Sequence, residues 1–111
     1  MAEAKARITE VTPEQVLEMQ QRGEPVTLLD VRDLHEVNAA KIPGTLHISR
    51  GNLETKIESA VPREARVIIY CATGNRSVLA AVTMEEMGYG DVASMEGGYR
   101  DWIMNGGDVE E

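Results

Sequence analysis

The run Val67–Tyr70 limits the possible folds of this chain more than any other segment does. Its four residues are Val, Ile, Ile and Tyr, which makes a strand apolar on both faces that has to be covered on both sides. Around it, short β-branched runs alternate with helical patterns, which is typical of an α/β domain with a mainly parallel sheet. A chain of 111 residues is predicted to form one domain, residues 1–111.

The element boundaries follow from periodicity and from helix start and stop signals. The predicted strands are Ile8–Thr9, Val26–Asp30, Leu46–Ile48, Val67–Tyr70 and Val92–Met95. Helices are predicted from a capping box at Thr12 and Gln15 to near Gly23, and over Asp33–Ala40, Asn52–Ala60, Asn75–Met87 and Gly98–Asn105. Between Val78 and Met84 the fourth helix is apolar nearly all round, so we expect it to be largely buried.

Charge and hydropathy exclude several classes of protein. With 11 basic and 19 acidic residues the net charge is −8, which argues against binding along nucleic acid or on an anionic membrane. The longest apolar run, Val67–Ala72, is far too short to span a bilayer. The segment Met1–Arg7 lacks the apolar core of a secretory signal, so we expect a cytoplasmic protein.

The only cysteine, Cys71, lies between the predicted buried strand and the predicted buried helix. At that place in an α/β fold, free N–H groups of a helix start and a tight turn at Gly74 can form an anion-binding nest. Arg76 can add a full positive charge, or its side chain can instead point outward. Such an environment favours the nucleophilic thiolate. The alternative is a structural cysteine, since free cysteines are among the most buried residues, but the loop that follows favours the reactive role.

The motif Cys71-x-x-Gly74-x-Arg76-Ser77 resembles the active-site loop of rhodanese-like sulfurtransferases. The resemblance extends to three further segments and runs from about residue 8 to 107, the expected core of the domain. These segments are Leu29-Asp30-Val31-Arg32 with Glu36, Ile42-Pro43-Gly44, and Gly97-Gly98 with Trp102. Two positions depart from the family pattern: Ala40-Lys41 replaces a common Gly-His, and Val37 replaces a common aromatic residue.

The resemblance implies a five-stranded parallel sheet flanked by helices on both faces, and a Cys71 that carries sulfane sulfur as a persulfide. A donor such as thiosulfate would load the sulfur, and cyanide, a thiol or a protein cysteine would collect it. Cys71 is then the catalytic residue, and the substrate-binding loop is Ala72, Thr73, Gly74, Asn75, Arg76 and Ser77. We expect neither a cofactor nor a metal, because His35 and His47 lack a ligand cluster at metal-site spacing.

Two other functions stay open. A rhodanese-like module could bind a partner protein without catalysis, although such a module has no need of Cys71 and Arg76. Cysteine phosphatases and arsenate reductases place one more residue between cysteine and arginine than the four found here, and by resemblance the shorter loop suits a single sulfur atom.

Asp30 and Arg32 leave the end of a predicted strand towards the same edge of the sheet as Cys71. They could support the loop from behind, but the interpretation that we favour is a structural ion pair, with each other, with Glu36 or with the backbone. Trp102 is expected to pack into the core.

Overall fold

A computed structural model describes residues 8–111, so the predictions made for residues 1–7 lie outside the described residues. Five strands form one sheet in the order β1-β5-β4-β2-β3, and every neighbouring pair is parallel. The strands are β1 (Thr9–Val11), β2 (Thr27–Asp30), β3 (Leu46–His47), β4 (Val67–Tyr70) and β5 (Val92–Met95). The predicted α/β class and five-stranded parallel sheet are therefore confirmed.

The helices cover both faces of this sheet. They are α1 (Pro13–Gln21), α2 (Leu34–Ala39), α3 (Leu53–Ala60, after a 3-10 turn at Arg50–Asn52), α4 (Asn75–Glu86) and α5 (Gly98–Met104). Alternate residues of β4 belong to two separate cores: Val67 and Ile69 pack with α3 and α4, while Ile68 and Tyr70 pack with α1 and α5. The central, doubly covered position of β4 is thus the one that its sequence predicts.

Local start and stop signals act as expected. Thr12 and Gln15 form the predicted capping box, and Gly23 takes the left-handed conformation after α1 with φ +69°. Trp102 is fully buried against α1 and β4, as predicted.

Between Val78 and Met84 the helix α4 is largely buried, as its composition predicts. The helix buries Val78, Ala80, Ala81 and Met84, but the side of the helix that carries Leu79 faces solvent, and Leu79 is 44% exposed. Val82 and Thr83 are half-buried, so Leu79 is the exposed position of this stretch.

The register brings the carboxyl ends of the strands together at one edge of the sheet. Asp30 on β2 pairs with Tyr70 on β4 and with His47 on β3, while Ile69 pairs with Ser94 on β5. The residue that follows Tyr70 is Cys71, so the loop from β4 to α4 lies at this edge. None of the helices within residues 8–111 has the length and the apolar character that a bilayer span requires.

Candidate active site

Cys71 lies at the bottom of the loop that joins β4 to α4, and only 1% of the residue is exposed. Its Sγ accepts hydrogen bonds from the backbone N–H of Gly74 at 3.1 Å and of Ser77 at 3.4 Å. Gly74 precedes the helix with φ +99°, a conformation open to glycine that turns its N–H inward. Ser77 lies in the first turn of α4, where backbone N–H groups have no partner within the helix. The sulfur is therefore held by a ring of amide donors.

Opposing effects act on the pKa of the Cys71 thiol. Burial by itself raises that pKa, but hydrogen bonds from the Ser77 hydroxyl and from the backbone N–H groups of Ser77, Gly74 and Thr73 outweigh it. The pKa therefore falls below its ordinary value. A thiol with a lowered pKa supplies more thiolate at neutral pH, and the thiolate is the nucleophilic form.

The start of α5 holds the loop from the other side. The backbone N–H of Tyr99 donates to the Cys71 carbonyl at 2.8 Å, and that of Arg100 donates to the Ala72 carbonyl at 3.1 Å. The Ala72 carbonyl and the Thr73 N–H belong to one planar trans peptide, so they point in opposite directions. Fixing the carbonyl on α5 therefore turns the Thr73 N–H away from α5, where it helps to lower the Cys71 pKa.

Gly98 makes this contact between loop and helix possible. A Cβ atom at that position would lie 2.3 Å from the Cys71 carbonyl oxygen, and Gly98 has φ +56°. Only a residue without a side chain allows the two segments to approach this closely.

Arg76 is bound to α2 and does not line the loop as a free cation. Its guanidinium donates to both carboxylate oxygens of Glu36 at 3.1 Å, and Asp33 lies 3.8 Å away. The hydrogen bond to Glu36 raises the pKa of Arg76, and the charge of Cys71 adds to this. The guanidinium therefore acts on the sulfur through the electric field while the acidic side chains of α2 offset its charge.

Asp30 and Arg32 form a buried ion pair with each other. The guanidinium donates to the Asp30 carboxylate at 2.8–3.1 Å and to the Ala40 carbonyl at 2.8 Å. It also lies over the ring of Tyr99, 4.2 Å from the centroid. This matches the favoured structural interpretation, and because Tyr99 also binds the Cys71 carbonyl, the pair supports the loop indirectly.

Of the remaining predicted loop residues, Ala72 and Thr73 contribute through the backbone. Thr73 and Asn75 are exposed and Ala72 is half-buried, and within residues 8–111 no hydrogen bond joins the side chain of any of them to the sulfur. Ser94 on β5 was not predicted as a site residue, yet its Oγ lies 2.8 Å from Ser77 Oγ. Its signal in the sequence is a polar residue inside the otherwise apolar run Val92–Met95.

One group of side chains could offer metal ligands. Oxygen and nitrogen atoms of Asp33, His35 and Glu36 lie within 4.8 Å of one another at the start of α2. Glu36 is already engaged by Arg76, and exposed acidic groups commonly gather without an ion. No further observation in the described part of the chain points to a metal there.

Comparison with known proteins places this loop in a family. The model of the rhodanese-like domain matches residues 12–105. Thiosulfate sulfurtransferase GlpE of Pseudomonas aeruginosa is 32% identical over 92 residues, which are 83% of this chain and 81% of that protein. YrkF of Bacillus subtilis, whose name describes a candidate sulfur carrier protein, is 34% identical over 91% of this chain. The chain spans about half of YrkF, 54% of its length.

A solved structure from Rhodopseudomonas palustris, of a protein of unknown function described as a possible tyrosine phosphatase, has the same fold. It is 36% identical and covers 98% of this chain and 89% of its own, with a TM-score of 0.89. The family model spans nearly all the described residues, including the cysteine loop. The chain therefore belongs to the rhodanese-like domain family of sulfurtransferases.

Proposed function

We propose that this protein transfers sulfane sulfur, with Cys71 as both nucleophile and sulfur carrier. The observation that carries the proposal is the set of hydrogen bonds from Gly74 and Ser77 to the Cys71 sulfur. Inward N–H donors stabilise negative charge on sulfur, whether it is the thiolate before transfer or the persulfide after it. A purely structural cysteine needs no such donors.

The proposed reaction proceeds in two half-reactions. The Cys71 thiolate attacks the outer sulfur of thiosulfate, an S–S bond forms to the enzyme, and the S–S bond of thiosulfate breaks to release sulfite. The enzyme is then a persulfide with one negative charge. A thiophilic acceptor such as cyanide attacks the outer sulfur, leaves as thiocyanate and regenerates the thiolate. No external oxidant or reductant is required.

The donor and acceptor classes are part of the proposal. The name of the Pseudomonas relative supports thiosulfate as donor, and that of the Bacillus relative supports passage of sulfur to a thiol or to the cysteine of another protein. The net charge of −8 gives no support to a nucleic acid or an anionic membrane as a partner. We place the activity in the cytoplasm, where thiols stay reduced.

Intact-protein mass spectrometry tests the proposal directly. After incubation with thiosulfate the wild-type protein should gain about 32 Da, the mass of one sulfur atom, and Cys71→Ser should gain nothing. Oxidation of Cys71 to a sulfinic acid adds nearly the same mass, so two controls are needed. A thiol reductant should remove the added mass from the loaded protein, and cyanide should convert the added sulfur to thiocyanate.

A panel of thiosulfate, mercaptopyruvate and glutathione persulfide then identifies the preferred donor. If none of these sulfane donors loads Cys71 in the folded protein, sulfur transfer is refuted and a non-catalytic binding module becomes the better account.

The Rhodopseudomonas neighbour raises phosphate ester hydrolysis as a second candidate. Two features oppose it: only four residues separate Cys71 from Arg76, and Arg76 is bound by Glu36 where an arginine that cradles phosphate would need to face the loop. We therefore expect no turnover of a chromogenic phosphate ester, and turnover lost in Cys71→Ser would favour the phosphatase instead.

A further inference from the structure

Two fully buried serine hydroxyls lie behind the Cys71 sulfur. Ser77 comes from the first turn of α4 and Ser94 from β5, and neither residue is exposed. Ser77 Oγ is 3.6 Å from the Cys71 sulfur and 2.8 Å from Ser94 Oγ. The three polar atoms therefore form a short chain that ends at the reactive sulfur.

The number of hydrogens limits how this chain can be arranged. Within residues 8–111, the Ser94 hydroxyl has one hydrogen-bond partner, Ser77 Oγ, while the Ser77 hydroxyl has two, Ser94 Oγ and the Cys71 sulfur. A buried hydroxyl without an acceptor is costly. The hydrogen of Ser94 therefore points to Ser77 Oγ. A neutral Cys71 thiol can donate to Ser77 Oγ, but once Cys71 is ionised the single hydrogen of Ser77 is left for the sulfur.

This arrangement of hydroxyl groups stabilises the thiolate form of Cys71 more than the thiol form. A thiolate only accepts, so it receives the Ser77 hydrogen and every hydrogen in the chain has an acceptor. A thiol that donates to Ser77 Oγ must compete with the hydrogen of Ser94 for that oxygen. A hydroxyl that itself accepts a hydrogen bond is also a stronger donor, which again favours the thiolate.

We propose that Ser94 is a positioning residue for the Cys71 nucleophile: it holds the Ser77 hydroxyl in the orientation that donates to the sulfur. Ser94 does not touch the sulfur and acts only through Ser77. The inference rests on the proposed nucleophilic role of Cys71.

Replacing Ser94 with alanine removes no charged or titratable group from around the loop. On α4 the nearby charge is Arg76, which is engaged by Glu36 and Asp33 at α2, and from α5 the neighbours are Tyr99 and Arg100. Neither serine takes part in these contacts. A change in the ionisation of Cys71 on replacing Ser94 can therefore be attributed to loss of the hydrogen bond between the two serine hydroxyls.

The test is a pH titration of Cys71, followed by thiolate ultraviolet absorbance and by the rate of iodoacetamide alkylation. The protein has a single cysteine, so both signals come from one residue. In Ser94→Ala we expect the midpoint to rise by about half to one pH unit, and alkylation below the midpoint to slow about three- to tenfold. Ser77→Ala should raise the midpoint at least as far, because it removes the donor itself.

Three further variants make the outcome specific. Ser94→Thr retains a hydroxyl and should keep the midpoint near that of wild type. Ser49→Ala is the matched control, since Ser49 binds His47 at the same edge of the sheet and should leave the midpoint unchanged. In a Ser77→Ala background, adding Ser94→Ala should cause no further shift.

Two results would overturn the role of Ser94 once thermal unfolding has verified that the variants are folded. One is a Cys71 titration midpoint in Ser94→Ala that equals that of wild type. The other is a midpoint shift on adding Ser94→Ala that is as large in the Ser77→Ala background as in the wild-type background. Neither titration uses a sulfur donor. A protein that never accepts sulfur but shows the Ser94 shift would refute the proposed function and leave the positioning role in place.

Discussion

Replacing Gly98 with alanine should damage both the stability and the active-site loop, because two separate costs arise at this position. An added Cβ would lie 2.3 Å from the Cys71 carbonyl oxygen and 2.9 Å from both the Ala72 carbonyl carbon and the Thr73 nitrogen. Real Cβ atoms essentially never approach closer than 3.0 Å, so the backbone must move by at least about 0.7 Å. The positive φ of +56° adds conformational strain in any residue with a side chain.

The chain offers a control that separates these costs. Gly23 also has a positive φ, +69°, but nothing lies within 4 Å of its added Cβ. Gly23→Ala should therefore lose only the strain, about 1–2 kcal/mol of unfolding free energy. Gly98→Ala should lose roughly 2–5 kcal/mol, since overpacking adds about 1–3 kcal/mol. In a domain of this size about 1 kcal/mol lowers Tm by roughly 4 °C.

Sulfur transfer should be slowed by the steric clash at Gly98, but not by the backbone strain that a positive φ causes in a residue with a side chain. The loop that Gly98→Ala displaces holds the Cys71 sulfur through hydrogen bonds of 3.1 and 3.4 Å, and a displacement near 1 Å is enough to weaken both. Sulfur loading, measured by mass spectrometry at a temperature where both variants are folded, should slow about tenfold or more in Gly98→Ala. It should stay near wild type in Gly23→Ala. Equal stability losses and equal loading rates in the two variants would refute the reasoning.

Two further predictions concern ion pairs. Asp30→Ala leaves the buried guanidinium of Arg32 without its carboxylate and should lower the unfolding free energy in urea by about 3–5 kcal/mol. Glu58→Ala, at an exposed pair, should cost about 1 kcal/mol or less, and equal losses would contradict the importance of burial. The pKa of Glu36 lies below its ordinary value of 4.5, mainly because its carboxylate accepts a hydrogen bond from Arg76. The ionised Glu36 therefore stabilises the fold above pH 4.5, and this contribution is lost as the pH falls through the lowered pKa. The stability difference between wild type and Glu36→Gln should therefore be largest at neutral pH and vanish in acid, and a difference that does not vary with pH would count against the pairing.

The amino-acid sequence alone was sufficient for the sheet, for the central position of β4 and for the loop that carries Cys71. These features depend on local pattern: a strand apolar on both faces, a capping box at Thr12, and a glycine at the start of α4. The sequence also favoured a structural ion pair for Asp30 and Arg32, but it left open whether their partner is each other, Glu36 or the backbone; in the structure they pair with each other.

The surroundings of the sulfur, in contrast, depend on tertiary contacts. Glu36 binds Arg76 across 40 positions of sequence, Ser94 meets Ser77 across 17, and Gly98 packs against Cys71. Each contact joins different elements, so it depends on the order of the strands and the angle at which each helix crosses the sheet. Side-chain periodicity predicts which face of an element is apolar, but it carries no information on which distant residue that face will meet.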